Sequence, residues 1–396
     1  MNLDVENVIV YVDDAVRHDI ATEHLPQLGP TYKTVASSTH TPTSFGSLLT
    51  GLLPPNNGIL SFKHSVPDDV RSVFDLKDHE VTMAANGGMN HTIADIFGTP
   101  PRASVEELEP PFVHVVRRPG GHAPYNGFDW DTYEYLDDSA VEYLYDIADD
   151  PNRGRREYVA GVKRSFEEFQ RVLDVLEERG LRDDTLVIYT SDHGELLGEY
   201  GFFGHTHLAT PEICYVPTMF VHPDLEPESH DELLHHTDLL PSVGDALGVD
   251  VGETDGTAWG EGRTTGYTHF EHVRYGKLPE WLEPILTRAG GFERTVRALW
   301  DDEGGHAFVD SPALANGSVF LYLLLKMPPG RQMIHQRRVR EAYQRFKKGH
   351  QEYGTPSFDE AEARSEIGAI LEGGTEQRIR DLDEETRDQL QDMGYI

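Results

Sequence analysis

Six residues into the chain, a continuous apolar and β-branched run, NVIVYV, occupies positions 7–12. A run of this length without polar alternation predicts a strand buried on both faces of a parallel sheet. Comparable runs at 112–116 (FVHVV), 185–190 (TLVIYT) and 216–221 (VPTMFV) predict three more strands. Between them the period changes. Over 155–179, Val159, Val162, Phe166, Phe169, Val172, Leu173 and Leu176 recur at helical spacing before Gly180, a helix stop. A second helix is predicted over 235–247 (HHTDLLPSVGDAL), closed by Gly248. Strands alternating with helices predict a three-layer α/β/α sandwich around a mostly parallel sheet. In such a sheet ligands bind beyond the carboxyl ends of the strands.

After about residue 262 the pattern loosens. TVRALW and HAFVD flank Asp301-Asp302-Glu303-Gly304-Gly305, which reads as a β-hairpin with a Gly-containing loop. Polar helices are predicted at roughly 333–350, 358–372 and 384–393. The expected division is therefore a core over 1–261 and a smaller C-terminal α+β subdomain over 262–396. The longest apolar stretch, Ser318 to Met327, is far shorter than the ~20 residues needed to span a bilayer.

Composition narrows the function classes. Of 396 residues, 34 are Lys or Arg and 69 are Asp or Glu, a formal charge of −35. With 38% hydrophobic and 10% aromatic residues, the chain has the material for a buried core. The charge opposes binding along a nucleic-acid backbone, which needs a basic footprint. The carboxylates are spread along the whole sequence, so they read as a soluble acidic surface or as adaptation to high salt. The single cysteine, Cys214, excludes an internal disulfide and a Cys-based metal cluster. The N-terminus lacks the basic and apolar regions of a signal peptide, and the expected location is cytoplasmic.

Three clusters of chemistry fall at predicted element ends. Asp13-Asp14 directly follow the first strand, with Arg17 and Asp19 beyond. Adjacent carboxylates repel unless a cation or Arg offsets them, so the pair suggests a hard-metal site or a helix N-cap. Thr41-Pro42-Thr43-Ser44 marks a helix start, with Thr41 either a cap or a nucleophile at the positive helix end. Asp192-His193 end the TLVIYT strand, offering one oxygen and one nitrogen ligand, and His205 and His207 follow closely.

Taken together, these segments resemble the sulfatase-like branch of the alkaline phosphatase superfamily over most of residues 5–260. NVIVYVDDAVRHD resembles the family's opening strand with its metal-binding Asp, aligned on Asp14, with Asp13 as a second ligand. TPTSFGSLLTGLLPPNNGI is similar to the C/S/T-x-P-S-R…LLTG segment and puts the nucleophile on Thr41. SDHGELLGEYGFFGHTH resembles the DHGE…LGEHG…GH block, with metal ligands on Asp192 and His193. His122-Ala123-Pro124-Tyr125 matches the substrate-facing H-x-P-Y segment. Four departures stand out. Threonine replaces the Cys or Ser that sulfatases convert to formylglycine, the proline is displaced to Pro42, Phe45 replaces the following Arg, and Asn57 replaces the usual His before Gly58.

The resemblance implies a metal-dependent ester hydrolase without formylglycine. Asp14, Asp192 and His193, with Asp13, would hold one divalent ion, whether Ca, Mg, Mn or Zn, which also ligates Thr41. Thr41 would attack a phosphate mono- or diester or a sulfate ester in line and form a covalent intermediate, with phosphorus favoured. Arg17 or His122 would steady the transferring group, and His205 or His207 would protonate the leaving alcohol. The implied substrate is a small-molecule, glycan-linked or lipid-linked ester. Group transfer to a second alcohol is the alternative, and a non-catalytic binding protein the weaker one.

Overall fold

The computed structural model describes residues 3, 5–85, 89–133, 136, 139–271, 294–382, 386, 387 and 390. Its centre is an eight-stranded sheet that runs, edge to edge, Ser229–His235, Thr31–Val35, Tyr215–Val221, Thr185–Ser191, Asn7–Asp13, Phe112–Arg118, Glu80–Ala84 and Arg102–Ala103. All neighbours pair in parallel except Tyr215–Val221, which is antiparallel to both of its partners. The four apolar runs seen in the sequence all lie in this sheet.

The strand period sorts side chains onto two faces. Val8, Val10 and Val12 point into one core with Leu186, Ile188 and Phe220, against Phe45, Leu48 and Leu49 of the helix Thr41–Thr50 and Leu240 and Val243 of the helix Leu239–Leu247. Ile9 and Tyr11 point the other way, with Val187 and Tyr189, against Phe166, Phe169, Val172 and Leu176 of the helix Pro151–Glu178. That long helix starts earlier than its apolar period shows, because the Asp150 side chain accepts from Arg153 N and Pro151 is the first helical residue. The helix predicted over 235–247 opens with a 3₁₀ turn, His236–Asp238, and stops at Gly248, whose φ is +66°.

The C-terminal region holds a four-stranded antiparallel sheet, Gly266–Glu271, Thr295–Trp300, Gly304–Val309 and His350–Gly354, so the predicted hairpin is two of its strands. The single helix expected over 333–350 is instead two shorter ones, Pro328–His335 and Val339–Phe346, separated at Arg337 with φ +56°. The apolar run near 318–327 is the helix Ala313–Lys326. The helix expected at 358–372 is Glu360–Glu372, capped by Asp359. Most of the helix expected over 384–393 lies outside the described residues. The last part of the chain returns to the core. Arg378–Ile379 pairs with His64–Ser65, Arg380 reaches Asp95, and Leu390 is buried in the first core cluster. Among the described residues no helix is long and apolar enough to cross a membrane.

Candidate active site

The parallel register places three strand ends side by side: Asp13 lies opposite Arg118 on one side and Ser191 on the other. The chain leaves the first strand at Asp14, whose N–H donates to Arg118 O and whose carbonyl accepts from Gly121 N. Gly120, with φ +53°, passes so close that a Cβ there would lie 2.2 Å from Asp14 O, so this turn requires glycine. From the next strand, Asp192 and His193 follow Ser191. Thr41 is the first residue of its helix. His40 occupies the cap position, with Thr43 and Ser44 donating to its carbonyl, so Thr41 does not serve as the N-cap.

These residues meet in one buried group. Thr41 Oγ1 is 3.1 Å from His193 Nε2. His193 Nδ1 donates to Gly194 O at 3.0 Å, which leaves Nε2 with its lone pair facing inward. His193 Nε2 lies 3.5 Å from Asp192 Oδ2 and 3.9 Å from Asp14 Oδ1. Asp192 Oδ1 accepts from Ala15 N and His193 N, and Asp14 Oδ2 accepts from Arg117 Nε and Nη2. The other two oxygens, Asp14 Oδ1 and Asp192 Oδ2, are buried and have no hydrogen-bond partner. One ligand atom each from Asp14, Asp192 and His193 falls within 4.8 Å of the others.

The electrostatics follow from burial. Burial by itself raises the Asp14 carboxyl, but the Arg117 guanidinium overrides it and holds Asp14 well below the usual carboxylate range. Asp192 is pushed upward by burial and then by the Asp14 charge facing it. Burial lowers His193 and His122, which favours their neutral, ligating or proton-accepting forms. Two desolvated carboxylates with orphaned oxygens and a neutral imidazole nitrogen form a donor set that fits one divalent cation.

A second group adjoins it. The His205 ring is 4.1 Å from that of His193 and 5.8 Å from that of His122, centre to centre. His205 Nδ1 pairs with Glu195 Oε2 at 2.9 Å, and Tyr125 OH donates to Glu195 Oε1 at 2.7 Å. His122 Nδ1 faces Ala123 O at 2.6 Å.

Three expected assignments need correction. Asp13 continues the Ile9–Tyr11 side of its strand, so its carboxylate faces the long helix and accepts from Ser165 Oγ at 2.5 Å and Tyr189 OH at 2.9 Å. It is not a member of the ligand group. Arg17 is engaged by Asp19, Glu199 and the Glu195 carbonyl, which hold its guanidinium in a structural network. His207, at φ +76°, turns its ring toward Phe270 of the C-terminal sheet, 5.3 Å away. Asn57, which stands where the related pattern has His, closes a turn by donating to Leu52 O and accepting from Ile59 N. Sequence reasoning missed Arg117 and Glu195. The signal for Arg117 was a charged pair abruptly ending an apolar strand; Glu195 stood inside a quoted motif with nothing local to give it a partner.

Residues 102–249, which include Arg117, His122, Asp192, His193, Glu195 and His205, match the Sulfatase family model. Along 99% of its length, and 96% of the relative's, the chain is 29% identical to the low-salt glycan biosynthesis sulfotransferase Agl7 of Haloferax volcanii. A shorter match, 31% identical over 27% of this chain and 21% of the relative, is to the choline-sulfatase of Rhizobium meliloti. Among solved structures, a 2-O GAG sulfatase superposes with a TM-score of 0.57 at 14% identity, covering 78% of this chain and 83% of the other. The phosphonate monoester hydrolase of Agrobacterium radiobacter superposes with a TM-score of 0.55 at 13% identity, covering 86% and 96%. The structural likenesses show the fold, an α/β/α sandwich shared with sulfatases and a phosphonate monoester hydrolase, and the sequence likenesses are to sulfatases and a sulfotransferase.

Proposed function

We propose that the protein cleaves a sulfate or phosphate ester by in-line attack of Thr41 Oγ1, through a covalent ester on Thr41, with one divalent ion held by Asp14, Asp192 and His193. The observation that carries this reading is the pair of buried, unpartnered oxygens, Asp14 Oδ1 and Asp192 Oδ2, facing His193 Nε2. The oxygen-rich set with one imidazole suits Ca, Mg, Mn or Zn. When bound, such an ion supplies positive charge that lowers the pKa of a neighbouring hydroxyl and offsets charge on the transferring group.

The chain's own groups do the rest. Arg117 grips Asp14 Oδ2, which keeps that carboxylate ionised and turns Oδ1 inward. The first turn of the Thr41–Thr50 helix presents Thr41 at its positive end, which favours the oxyanion that forms when Thr41 loses its hydroxyl proton. The Thr41 Oγ1 bond to sulfur or phosphorus forms as the bond to the leaving oxygen breaks. Glu195 orients His205 through Nδ1, so that Nε2 is the atom that delivers a proton to that leaving oxygen. His122 borders the same space and steadies the transferring group. Attack by water then frees Thr41. Threonine carries a methyl group on Cβ and cannot be oxidised to the formylglycine aldehyde, so the nucleophile is the hydroxyl itself.

A second reading has an alcohol in place of water. The full-length similarity to a glycan biosynthesis sulfotransferase favours a sugar hydroxyl as acceptor and sulfate as the transferred group. One experiment separates these outcomes. The protein is assayed on p-nitrophenyl sulfate, phosphate and bis-phosphate with divalent ions, with and without a sugar acceptor, and the quenched protein is examined by peptide mass spectrometry. The expected result is ester cleavage with a sulfuryl or phosphoryl group trapped on the Thr41 peptide, and product on the sugar if transfer operates. Full turnover by Thr41→Ala would end the proposal.

A further inference from the structure

Residues 313–348 run against the charge of the whole chain. They contain eight Lys or Arg and one acidic residue, Glu341, in a protein of net charge −35. On the helix Ala313–Lys326, Leu314, Leu321 and Leu325 are 69%, 54% and 64% exposed. Spaced seven and four apart, they form one outward stripe. The opposite stripe, including Val319, Phe320 and Leu323, is buried against Leu196, Phe202 and Leu208, in the segment that also carries His205. Ile334, 56% exposed, adds to the apolar surface from the next helix, Pro328–His335.

The basic residues that follow are as unusual as the leucines. Arg331, Arg337, Arg340, Lys347 and Lys348 are exposed, and none makes an ion pair among the described residues. With two acidic residues for every basic one, elsewhere on this surface arginines find carboxylates readily, as Arg153, Arg164, Arg171 and Arg364 do. A solubility role explains neither an exposed leucine stripe nor exposed cations without carboxylate partners on the helices that follow it.

We propose that this face docks the protein peripherally on an anionic lipid surface. Leucines entering the interface while neighbouring Arg and Lys meet headgroup phosphates is the combination that holds helices in the plane of a membrane. At 14 residues the helix is too short to span a bilayer. The charge argues against the other occupants. A second copy would bring two basic rims together, and a nucleic acid would leave the leucine stripe exposed to water. Because the buried side of the same helix packs on the segment carrying His205, docking holds the active-site region beside the headgroup layer.

The test is co-sedimentation of the full-length protein with vesicles of phosphatidylcholine alone or mixed with phosphatidylglycerol, at several salt concentrations. Wild type is expected to bind the anionic vesicles in preference, with affinity falling as salt rises. Arg337→Glu with Arg340→Glu, and separately Leu314→Ser with Leu321→Ser and Leu325→Ser, should each lower partitioning by about tenfold or more. Both sets alter exposed positions, so circular dichroism and turnover of a soluble ester should match wild type, and a set that fails this check is judged by the other. Equal binding to neutral vesicles, no binding to either, tighter binding to RNA than to vesicles, or a dimer that the serine set abolishes without any vesicle binding would overturn the proposal.

Discussion

Asp13 and Asp14 are consecutive, both fully buried, and separated by the plane of the central sheet. On the Asp13 side each carboxylate oxygen has a hydroxyl donor, Ser165 or Tyr189. On the Asp14 side one oxygen is gripped by Arg117 and the other faces the equally unpartnered Asp192 Oδ2. The difference teaches how to read buried charge. A carboxylate whose hydrogen bonds are complete is explained by the fold, whereas two whose inward oxygens are left open call for a cation between them, as proposed above.

The largest effect should come from the open side. Asp192→Asn, an isosteric change, is expected to lower ester turnover by about 10³-fold or more and to abolish any thermal stabilisation by divalent ions. Its melting temperature without metal should equal or exceed that of wild type, because one of two facing charges is gone. A variant that still gains stability from metal would break the comparison.

Next comes Glu195, proposed above to orient His205. Glu195→Gln should slow turnover by about 10²-fold for poor leaving groups and far less for p-nitrophenol, which leaves without a proton. The readout is the dependence of rate on leaving-group pKa across a set of aryl esters. An equal loss for all of them would show that Glu195 serves only packing.

Asp13 gives the opposite pattern. Asp13→Ala leaves the Ser165 and Tyr189 hydroxyls buried without their acceptor and should cost about 1–3 kcal/mol of stability in urea unfolding. Metal binding and turnover of the folded fraction should stay near wild type. Loss of metal binding there would return Asp13 to the ligand set.

The smallest effect is a pH slope. His114, bonded to Thr82 Oγ1 at 2.8 Å, is held down at about 3 by burial. A histidine with a depressed folded pKa contributes stability that is complete above its unfolded value, about 6.5, and is lost as pH falls toward 3. His114→Gln should therefore flatten the decline of unfolding free energy between about pH 6 and 4. An unchanged slope would mean that His114 protonates without disturbing the sheet.

The apolar runs made the sheet legible, because strands buried on both faces carry no ambiguity of burial. The same uniformity hid the fate of Asp13. With both faces apolar, nothing in NVIVYV marked which side each residue took, although the Ile9–Tyr11–Asp13 alternation follows once one face is known. Asp14, Thr41, Asp192 and His193 were legible because each stands at an element end inside a recognisable block. Arg17 and His207 stood in such blocks too, and tertiary partners far along the chain drew them into other work. Arg117 and Glu195 needed the fold, since their partners lie 103 and 10 residues away in sequence. The cationic stretch over 331–348 was readable as charge, yet its neighbouring leucine stripe became visible only when one face of the Ala313–Lys326 helix proved buried.

The central claim is a single divalent ion between Asp14, Asp192 and His193. It is tested most directly by isothermal titration of Ca, Mg, Mn and Zn into metal-stripped wild type and Asp192→Asn, with elemental analysis of each. The account predicts about one ion per chain in wild type and none in the variant. A wild-type chain that takes up no ion, or a variant that binds as tightly, would contradict it.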